Sequence, residues 1–235
     1  KKEDIEGKDV LTVNGSGDFL TWVIQNKPSS VSTFDINIFT EYYQMLKMGA
    51  LLTLDYSEYL DFFYGDNVLD EKYFPRVLSV LPEHIVNFWE SLLDYFDPIE
   101  INESQLFVPS VTTINNARRY NSFLRDSESY NKAREAATKL CYAFHNLAFD
   151  ELGEIKKKFD TIFLSNIVDY QNYHSALDAI SKLRSALESI LKDDGIIIAS
   201  SLNSKSLMPN YIGPNGSIIK RPDFVREIRV KACKH

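Results

Sequence analysis

At 235 residues the chain is long enough for one domain with a full core, or for a domain carrying a large insertion. Hydrophobic content of 44% with 25% charged residues is ordinary for a globular protein, and a net charge of −7 argues against a nucleic-acid backbone as the main partner. No apolar run approaches the roughly 20 residues that span a bilayer, no secretory signal is visible, and the two cysteines, Cys141 and Cys233, form no metal-like or redox pair, so no metal is expected and a reducing cytoplasm fits.

The chain starts with Lys1-Lys-Glu-Asp4, only nine residues ahead of the first strand, which is consistent with a missing N-terminal segment. Val10 to Val13 then read as a short buried strand, Asn14-Gly-Ser-Gly17 as a tight turn, and Asp18 as the opening of a helix over Phe19 to Gln25. A strand that runs through a glycine turn into a helix is a ligand-binding device. Glycine admits backbone conformations closed to other residues and lets a ligand approach the main chain, while the helix start offers N–H groups.

After the loop Lys27 to Ser30, Val31 to Asp35 is a second strand ending in an acid. Gly17 and Asp35 are 18 residues apart, which suits a β-α-β unit whose acid accepts from ribose hydroxyls. The alternative for Asp35 is a helix cap, because Asp35-Ile-Asn37 precedes a helical pattern from Ile38 to Leu54. From about 55 to Lys139 no strand pattern is convincing. Helices are expected over Asp55 to Phe63, Glu71 to Val80, Pro82 to Phe96, Ile114 to Leu124 and Ser127 to Lys139. Residues 55–125 are therefore expected to be an inserted helical subdomain, a lid or acceptor pocket, within a ligand-binding domain formed by 1–54 and 126–235.

Alternation then resumes. Strands are expected at Leu140 to Phe144, Phe159 to Ser165 and Ile196 to Ser201. A helix is expected at Ser175 to Lys192, stopped by Asp193-Asp-Gly195. Ser217 to Lys220 and Phe224 to Ala232 read as two antiparallel edge elements. The class that results is α/β, a Rossmann-like fold with a mainly parallel sheet, helices on both faces and the helical insertion. Asn14 to Asp18, Asp35 to Asn37, His145-Asn146 and Ser165-Asn166 are then all expected at the carboxyl ends of the strands.

The turn discriminates among ligands. A dinucleotide fingerprint needs a third glycine where Leu20 stands, and no Lys-Ser/Thr pair follows to cradle phosphates. Asp18 would repel a pyrophosphate but accept from an ammonium. A ligand with an adenosine end, an amino-acid end and no phosphate fits, and S-adenosylmethionine is such a ligand. Its ribose is expected at Asp35, its amino acid near Gly15 to Asp18, and its adenine toward Asn146.

The residues also carry a family likeness. Val10 to Asp18, Thr33 to Lys47 and Leu164 to Tyr170, with Arg118 to Asp126, resemble a family of bacterial domains of unassigned function. That family is related to the diacylglycerol 3-amino-3-carboxypropyltransferase of betaine-lipid synthesis. The resemblance implies a class I methyltransferase-like fold binding S-adenosylmethionine at Gly15, Ser16, Gly17, Asp18, Asp35 and Asn37, with Ser165 and Asn166 lining the crevice; Asn14, Ile36 and Asn146 are the further donor-site candidates. The expected activity is transfer of a methyl or 3-amino-3-carboxypropyl group, the alternative being a binding module without turnover. The expected partner is a small-molecule or lipid-like acceptor, with peripheral membrane contact and no nucleic acid.

Several residues keep two readings. Ser165, Asn166, Asp169 and Tyr170 are transfer-site candidates, or residues that end a strand and cap a helix. Arg118, Arg119 and Arg125 suit an anionic acceptor or a salt-bridged helix face, and Arg119, Tyr120 and Asn121 are the substrate-binding candidates. His145 and His174 are bases or structural histidines. The Tyr and Phe of 55–96 line an acceptor pocket or form the insertion's own core.

Overall fold

The computed structural model describes residues 5–15, 17–66, 68–103, 114–165, 186–201, 217–220 and 226–231. Two units divide the chain. The first holds residues 1–13, 28–36 and 141–235, and the second holds 14–27 and 37–140.

The first unit is a seven-stranded sheet. Its strands are β1 (Asp9–Val13), β2 (Ser30–Asp35), β3 (Tyr142–Asn146), β4 (Phe159–Ser165), β5 (Leu191–Ser201), β6 (Ser217–Lys220) and β7 (Arg226–Lys231). Their spatial order is β3-β2-β1-β4-β5-β7-β6. The first five are parallel, as strands fed by crossovers must be, and β7 runs antiparallel to both neighbours. The last two strands thus pair as expected, but only β6 is an edge. β7 lies between β5 and β6. Its sequence alternates charged with apolar residues at Glu227-Ile-Arg-Val-Lys231, a pattern that an interior antiparallel strand tolerates as readily as an edge.

Burial of the strand side chains explains the continuous apolar runs. Leu11, Phe34, Phe159, Ile162 and Leu164 from the strands pack with Phe149 and Leu152 of the 3-10 segment Phe149–Glu154, with Ile155 just after it, and with Leu187 and Ile190. The rings of Phe34 and Phe149 lie parallel, 6.4 Å apart. Each such fully buried side chain contributes about 1.5–3 kcal/mol. The Leu187 helix ends at Ile190, and Leu191 already pairs with Phe159. Asp193-Asp-Gly195 therefore falls inside β5, where the register shifts between Phe159 and Thr161.

The amino ends of β1, β4 and β5 are tied by charge. Lys192 Nζ donates to Asp9 Oδ2 at 2.8 Å and to Asp160 Oδ2 at 2.9 Å. The Asp9 amide donates to Asp160 Oδ2 at 2.8 Å, Lys157 Nζ pairs with Asp9 Oδ1 at 3.2 Å, and Ser30 Oγ donates to Asp9 Oδ1.

The second unit is helical: α1 (Asp18–Gln25), α2 (Phe39–Thr53), α3 (Tyr56–Tyr64), α4 (Phe74–Leu78), α5 (Glu83–Tyr95), α6 (Pro98–Glu103), α7 (Ile114–Tyr120) and α8 (Ser127–Ala137). No strand occurs among its described residues, in line with the sequence reading. Asp55 starts α3 with a capping box shared with Glu58, and Asp126 caps α8 through the Ser129 amide at 2.7 Å. The aromatic residues mostly pack on one another. Tyr59 meets Phe63, Tyr130 and Phe123 at ring distances of 4.8, 5.4 and 6.0 Å. Trp89 is buried and donates from Nε1 to the Tyr42 carbonyl at 3.1 Å. The aromatic residues of 55–96 thus largely pack within the helical unit. Tyr130 fastens α8 to the end of α2, its hydroxyl reaching the Leu54 carbonyl at 3.1 Å and those of Ala50 and Leu51 at 3.4 Å. Among the described residues no helix is long and apolar enough to cross a membrane.

Two stability outcomes follow from these contacts. Tyr130→Phe leaves helix-end carbonyls without their donor and should cost about 1–2 kcal/mol in urea unfolding; an unchanged midpoint would contradict the contact. For Asp9, burial opposes ionisation, but the bonds from Lys192, Ser30 and Lys157 outweigh it and hold the carboxyl well below the ordinary 3.8. A carboxylate depressed in the folded state stabilises fully above its unfolded pKa and loses that contribution as pH falls below it. Asp9→Asn should therefore lower the midpoint at neutral pH, by the equivalent of about 1 kcal/mol. It should also flatten the loss of stability below about pH 4. An acid limb as steep as the parent's would show that Asp9 is not a source of the acid sensitivity.

Candidate functional site

The first unit brings the carboxyl ends of four parallel strands to one edge. Register places Val13 opposite Phe34, Phe34 opposite His145, and Asp35 opposite Asn146. On the other side of β1, Thr12 faces Phe163, so Ser165 ends β4 two residues further along the same edge. Asp35 is partly buried, and Ile36 after it is 75% exposed, an unusual state for an isoleucine beside a core strand. Asn146 holds this corner. Its Nδ2 donates to the carbonyls of Asp35 at 2.9 Å and Ile36 at 3.1 Å, and the Leu147 amide also donates to the Asp35 carbonyl. Asn146 therefore fixes the backbone on which Asp35 and Ile36 sit. His145 is half-buried. Desolvation, with the Lys157 cation second, pulls its pKa below the ordinary histidine value.

The glycine turn belongs to the second unit. The Gly17 amide donates to the Asn14 carbonyl at 3.1 Å, closing the turn. Gly15 and Gly17 sit at φ +52° and +80°, where L side chains are strained. Gly17 is also the cap residue of α1, so Asp18 is the first helical residue and not the cap. A Cβ at Gly17 would fall 2.1 Å from Gln44 Oε1, a second reason for glycine there. Asn14 is buried. Its Nδ2 donates to Thr40 Oγ1 at 3.1 Å, and Thr40 Oγ1 donates to the Asn37 carbonyl at 2.8 Å. Asn37 Oδ1 accepts from the Phe39 amide at 3.0 Å, so the start of α2 is met by Asn37. The capping role weighed for Asp35 is filled there by Asn37.

Three buried polar atoms around this turn have no hydrogen-bond partner: Asn14 Oδ1 and both Nε2 and Oε1 of Gln44. Gln44 is 0% exposed and Lys47, one turn on, 4%. The sequence reading passed over both, and over Thr40. A signal was present: Gln44 and Lys47 are the polar residues of a stretch, Gln44-Met-Leu-Lys-Met-Gly-Ala-Leu-Leu52, that is apolar on every helical face. A helix apolar all round is a buried one.

The acceptor candidates are less concentrated. Arg118 Nε donates to Tyr56 Oη at 3.1 Å, and Arg125 meets Asp126 and Ser129. Arg119 is exposed on α7, while Asn121 is 8% exposed with its Nδ2 unpartnered. Ser16, Asn166, Asp169, Tyr170 and His174 lie outside the described residues, and of Asp18, Tyr120 and Ser165 only the backbone is described.

No family model matches the chain, and no curated protein matches it in sequence. Among solved structures, the rRNA methyltransferase aviRa from Streptomyces viridochromogenes is similar in two determinations. Each is 11% identical with a TM-score of 0.52, covering 97% and 96% of this chain and 77% of that one. An rRNA methylase from Streptococcus thermophilus is 9% identical, over 99% of this chain and 92% of that one, with a TM-score of 0.42. The comparisons do not reach the aminocarboxypropyltransferase of betaine-lipid synthesis. Contrary to the expectation from net charge, nucleic acid is not excluded as a partner, because a structure that matches 97% of this chain is described as an rRNA methyltransferase. A net charge is a sum, and a substrate meets a local potential instead. With the strand order and the single antiparallel strand, the similarity gives the fold: the chain is an α/β protein with a class I methyltransferase-like Rossmann fold.

Proposed function

We propose that the protein is an S-adenosylmethionine-dependent methyltransferase. The observation that carries this reading is the end of β2. Asp35 and the exposed Ile36 stand at the carboxyl edge of the sheet, beside the strand that leads into the left-handed glycine turn. An ionised carboxylate only accepts hydrogen bonds, and a ribose diol offers two donors to it. Ile36, held by Asn146, offers an apolar surface to adenine. Gly15, Ser16, Gly17 and Asp18 take the amino-acid end, and the buried Asn14 Oδ1 without a partner is a polar group that such a ligand would satisfy. The residues present fit the donor without any phosphate-binding element.

Bound there, the donor supplies a sulfonium whose attached carbons are electrophilic. The protein then has mainly to position an acceptor nucleophile in line with the methyl carbon. The acceptor's lone pair forms the new bond, the carbon–sulfur bond breaks with its electron pair going to sulfur, and the acceptor's proton passes to a base or to water. Ser165, Asn166, Asp169 and Tyr170, at and after the end of β4, are the residues we assign to the acceptor side. Arg119, Tyr120 and Asn121 remain its further candidates. Alkylation by a sulfonium needs little acid-base help, which agrees with a site that offers a neutral-leaning His145 and no histidine-acid pair among its described residues.

Titration calorimetry with S-adenosylhomocysteine tests the donor site. The parent protein should bind it, and Asp35→Ala should weaken binding at least about tenfold, the worth of hydrogen bonds to a charged acceptor. Equal affinity would remove the ribose assignment. Product analysis tests the reaction, with ribosomal RNA as the first acceptor class because of the rRNA methyltransferase neighbour. S-adenosylhomocysteine as product supports methyl transfer. Methylthioadenosine would replace that reading with aminocarboxypropyl transfer, the activity suggested by the sequence resemblance. Binding without either product across ribosomal RNA and small-molecule acceptors would favour a binding module.

A further inference from the structure

Arg118 is a cation that the helical unit holds in place without neutralising it. It is exposed on α7, and its Nε donates to Tyr56 Oη at 3.1 Å. That hydroxyl gives its own proton to the Leu124 carbonyl at 2.7 Å, so towards Arg118 it can only accept. The guanidinium carbon lies 5.8 Å from the centre of the Tyr56 ring, which in turn lies 5.7 Å from the ring of the fully buried Tyr130. One tyrosine therefore links α3, α7 and the 3-10 segment Ser122–Leu124, and restrains the guanidinium from its side and its face. Among the described residues no carboxylate pairs with Arg118. Its two Nη groups remain, the flat end of the guanidinium fork.

The segment around Arg118 is basic in a unit that is otherwise acidic. Residues 37–103 hold thirteen carboxylates against three cations, whereas 114–139 hold six cations against three carboxylates. Each of those three is already engaged: Asp126 with Arg125 at 3.3 Å, Glu128 with Lys132 at 2.5 Å and Glu135 with Lys139 at 3.5 Å. The acids flanking Tyr56 are engaged as well. Asp55 caps α3, and Glu58 accepts from both Nη groups of Arg76 at 2.7 and 2.8 Å. Arg134 joins Arg118 in having no carboxylate partner among the described residues. It stands one helical turn on from Tyr130 along α8, so the two arginines border one tyrosine pair.

A guanidinium held by a ring and a hydroxyl, with its Nη pair left over, is shaped for two oxygens of one anionic group. Further cations on the next helix suit a chain of such groups. Among the described residues of 114–139 no large apolar side chain is exposed, so this surface has nothing to insert into a lipid bilayer. We propose that the α7–α8 surface of the helical unit binds the phosphate backbone of a nucleic acid. Arg118 takes one phosphate bidentately, Arg134 adds charge beside it, and Tyr56 is the positioning residue. The acidic stretch 37–103 repels the same polyanion and confines it to this surface. Backbone contacts of this kind place a nucleic acid without reading its sequence. The inference adds a holding surface to the proposed function and does not depend on how the donor is bound.

Fluorescence anisotropy of a labelled RNA hairpin with the full chain, repeated across salt concentrations, tests the proposal. The parent should bind, with an affinity that falls as salt rises. Arg118→Ala should weaken binding about fivefold at low salt and reduce the slope of log affinity against log salt by about 1. Arg118→Lys keeps the charge without the fork, and Tyr56→Phe keeps the ring without the hydroxyl. Each should weaken binding about threefold at the parent's salt slope, because the charge stays and its placement is lost. Arg134→Ala should cost about threefold, and Lys132→Ala, whose ammonium is already paired with Glu128, less than about twofold. A parent that does not bind the hairpin would overturn the proposal, as would an Arg118→Ala that binds as the parent does. Equal losses at Arg118 and Lys132, or full binding by Arg118→Lys, would also overturn it, since undirected charge would then suffice. So would tighter binding to vesicles of anionic phospholipid than to the hairpin. Failure of the parent to bind S-adenosylhomocysteine, measured separately, would overturn the donor reading and leave this one standing.

Discussion

Gly17 is the constraint on which the glycine turn and the start of α1 depend. Its backbone sits at φ +80°, and Gln44 Oε1 lies where a Cβ would be. The positive φ favours glycine, and a side chain there would also have to push aside the end of the Gln44 side chain. The left-handed conformation lets the chain that leaves β1 turn within four residues into α1. The absent side chain lets a buried amide approach the backbone directly. Geometry and polarity are thus set by the same missing atom.

Polar groups in both units are mostly satisfied by one another. At the amino ends of β1, β4 and β5, Asp9, Asp160, Lys157, Lys192 and Ser30 satisfy one another, and the carboxyl of Asp9 is correspondingly strong as an acid. Tyr130 in the second unit is likewise satisfied by three carbonyls. Asn14, Gln44 and Asn121 stand apart by keeping buried atoms without partners. Folding does not select such positions for stability, because an apolar residue of similar size would serve better. The unmet groups of Asn14 and Gln44 stand beside the glycine turn.

Much of this was legible in the chain because the signals were local. The Val10 to Val13 run, the paired glycines and the acid 18 residues on gave β1, the turn and β2, since a strand's burial and a turn's backbone demands are written in adjacent residues. Most helices of 55–139 were marked by their spacing and by Pro75, Pro82 and Pro98, whereas Pro98–Glu103 carried no such signal. What was hidden depended on partners distant in sequence. The interior place of β7 is decided by pairing with β5, about thirty residues earlier, and its alternating pattern fits an edge equally well. Gln44 and Lys47 lie in a stretch apolar on every helical face, which signals burial, but what they meet there is decided by the packing of α2. Asn146 reads as a ligand contact by its place at a strand end, whereas its amide hydrogens are directed to the Asp35 and Ile36 carbonyls.

The net charge misled for a related reason. A sum of −7 over 235 residues already cancels Asp9 and Asp160 against Lys157 and Lys192, and it says nothing of where the remaining charges lie. It likewise gives no separate weight to Arg118 and Arg119, which stand together in the last turn of α7. Paired charges cancel over a few ångströms, and a polyanion responds to what is left uncancelled within about a Debye length of its approach. Composition therefore bounds the long-range field of the molecule but leaves open which surface, of either sign, an acceptor meets first.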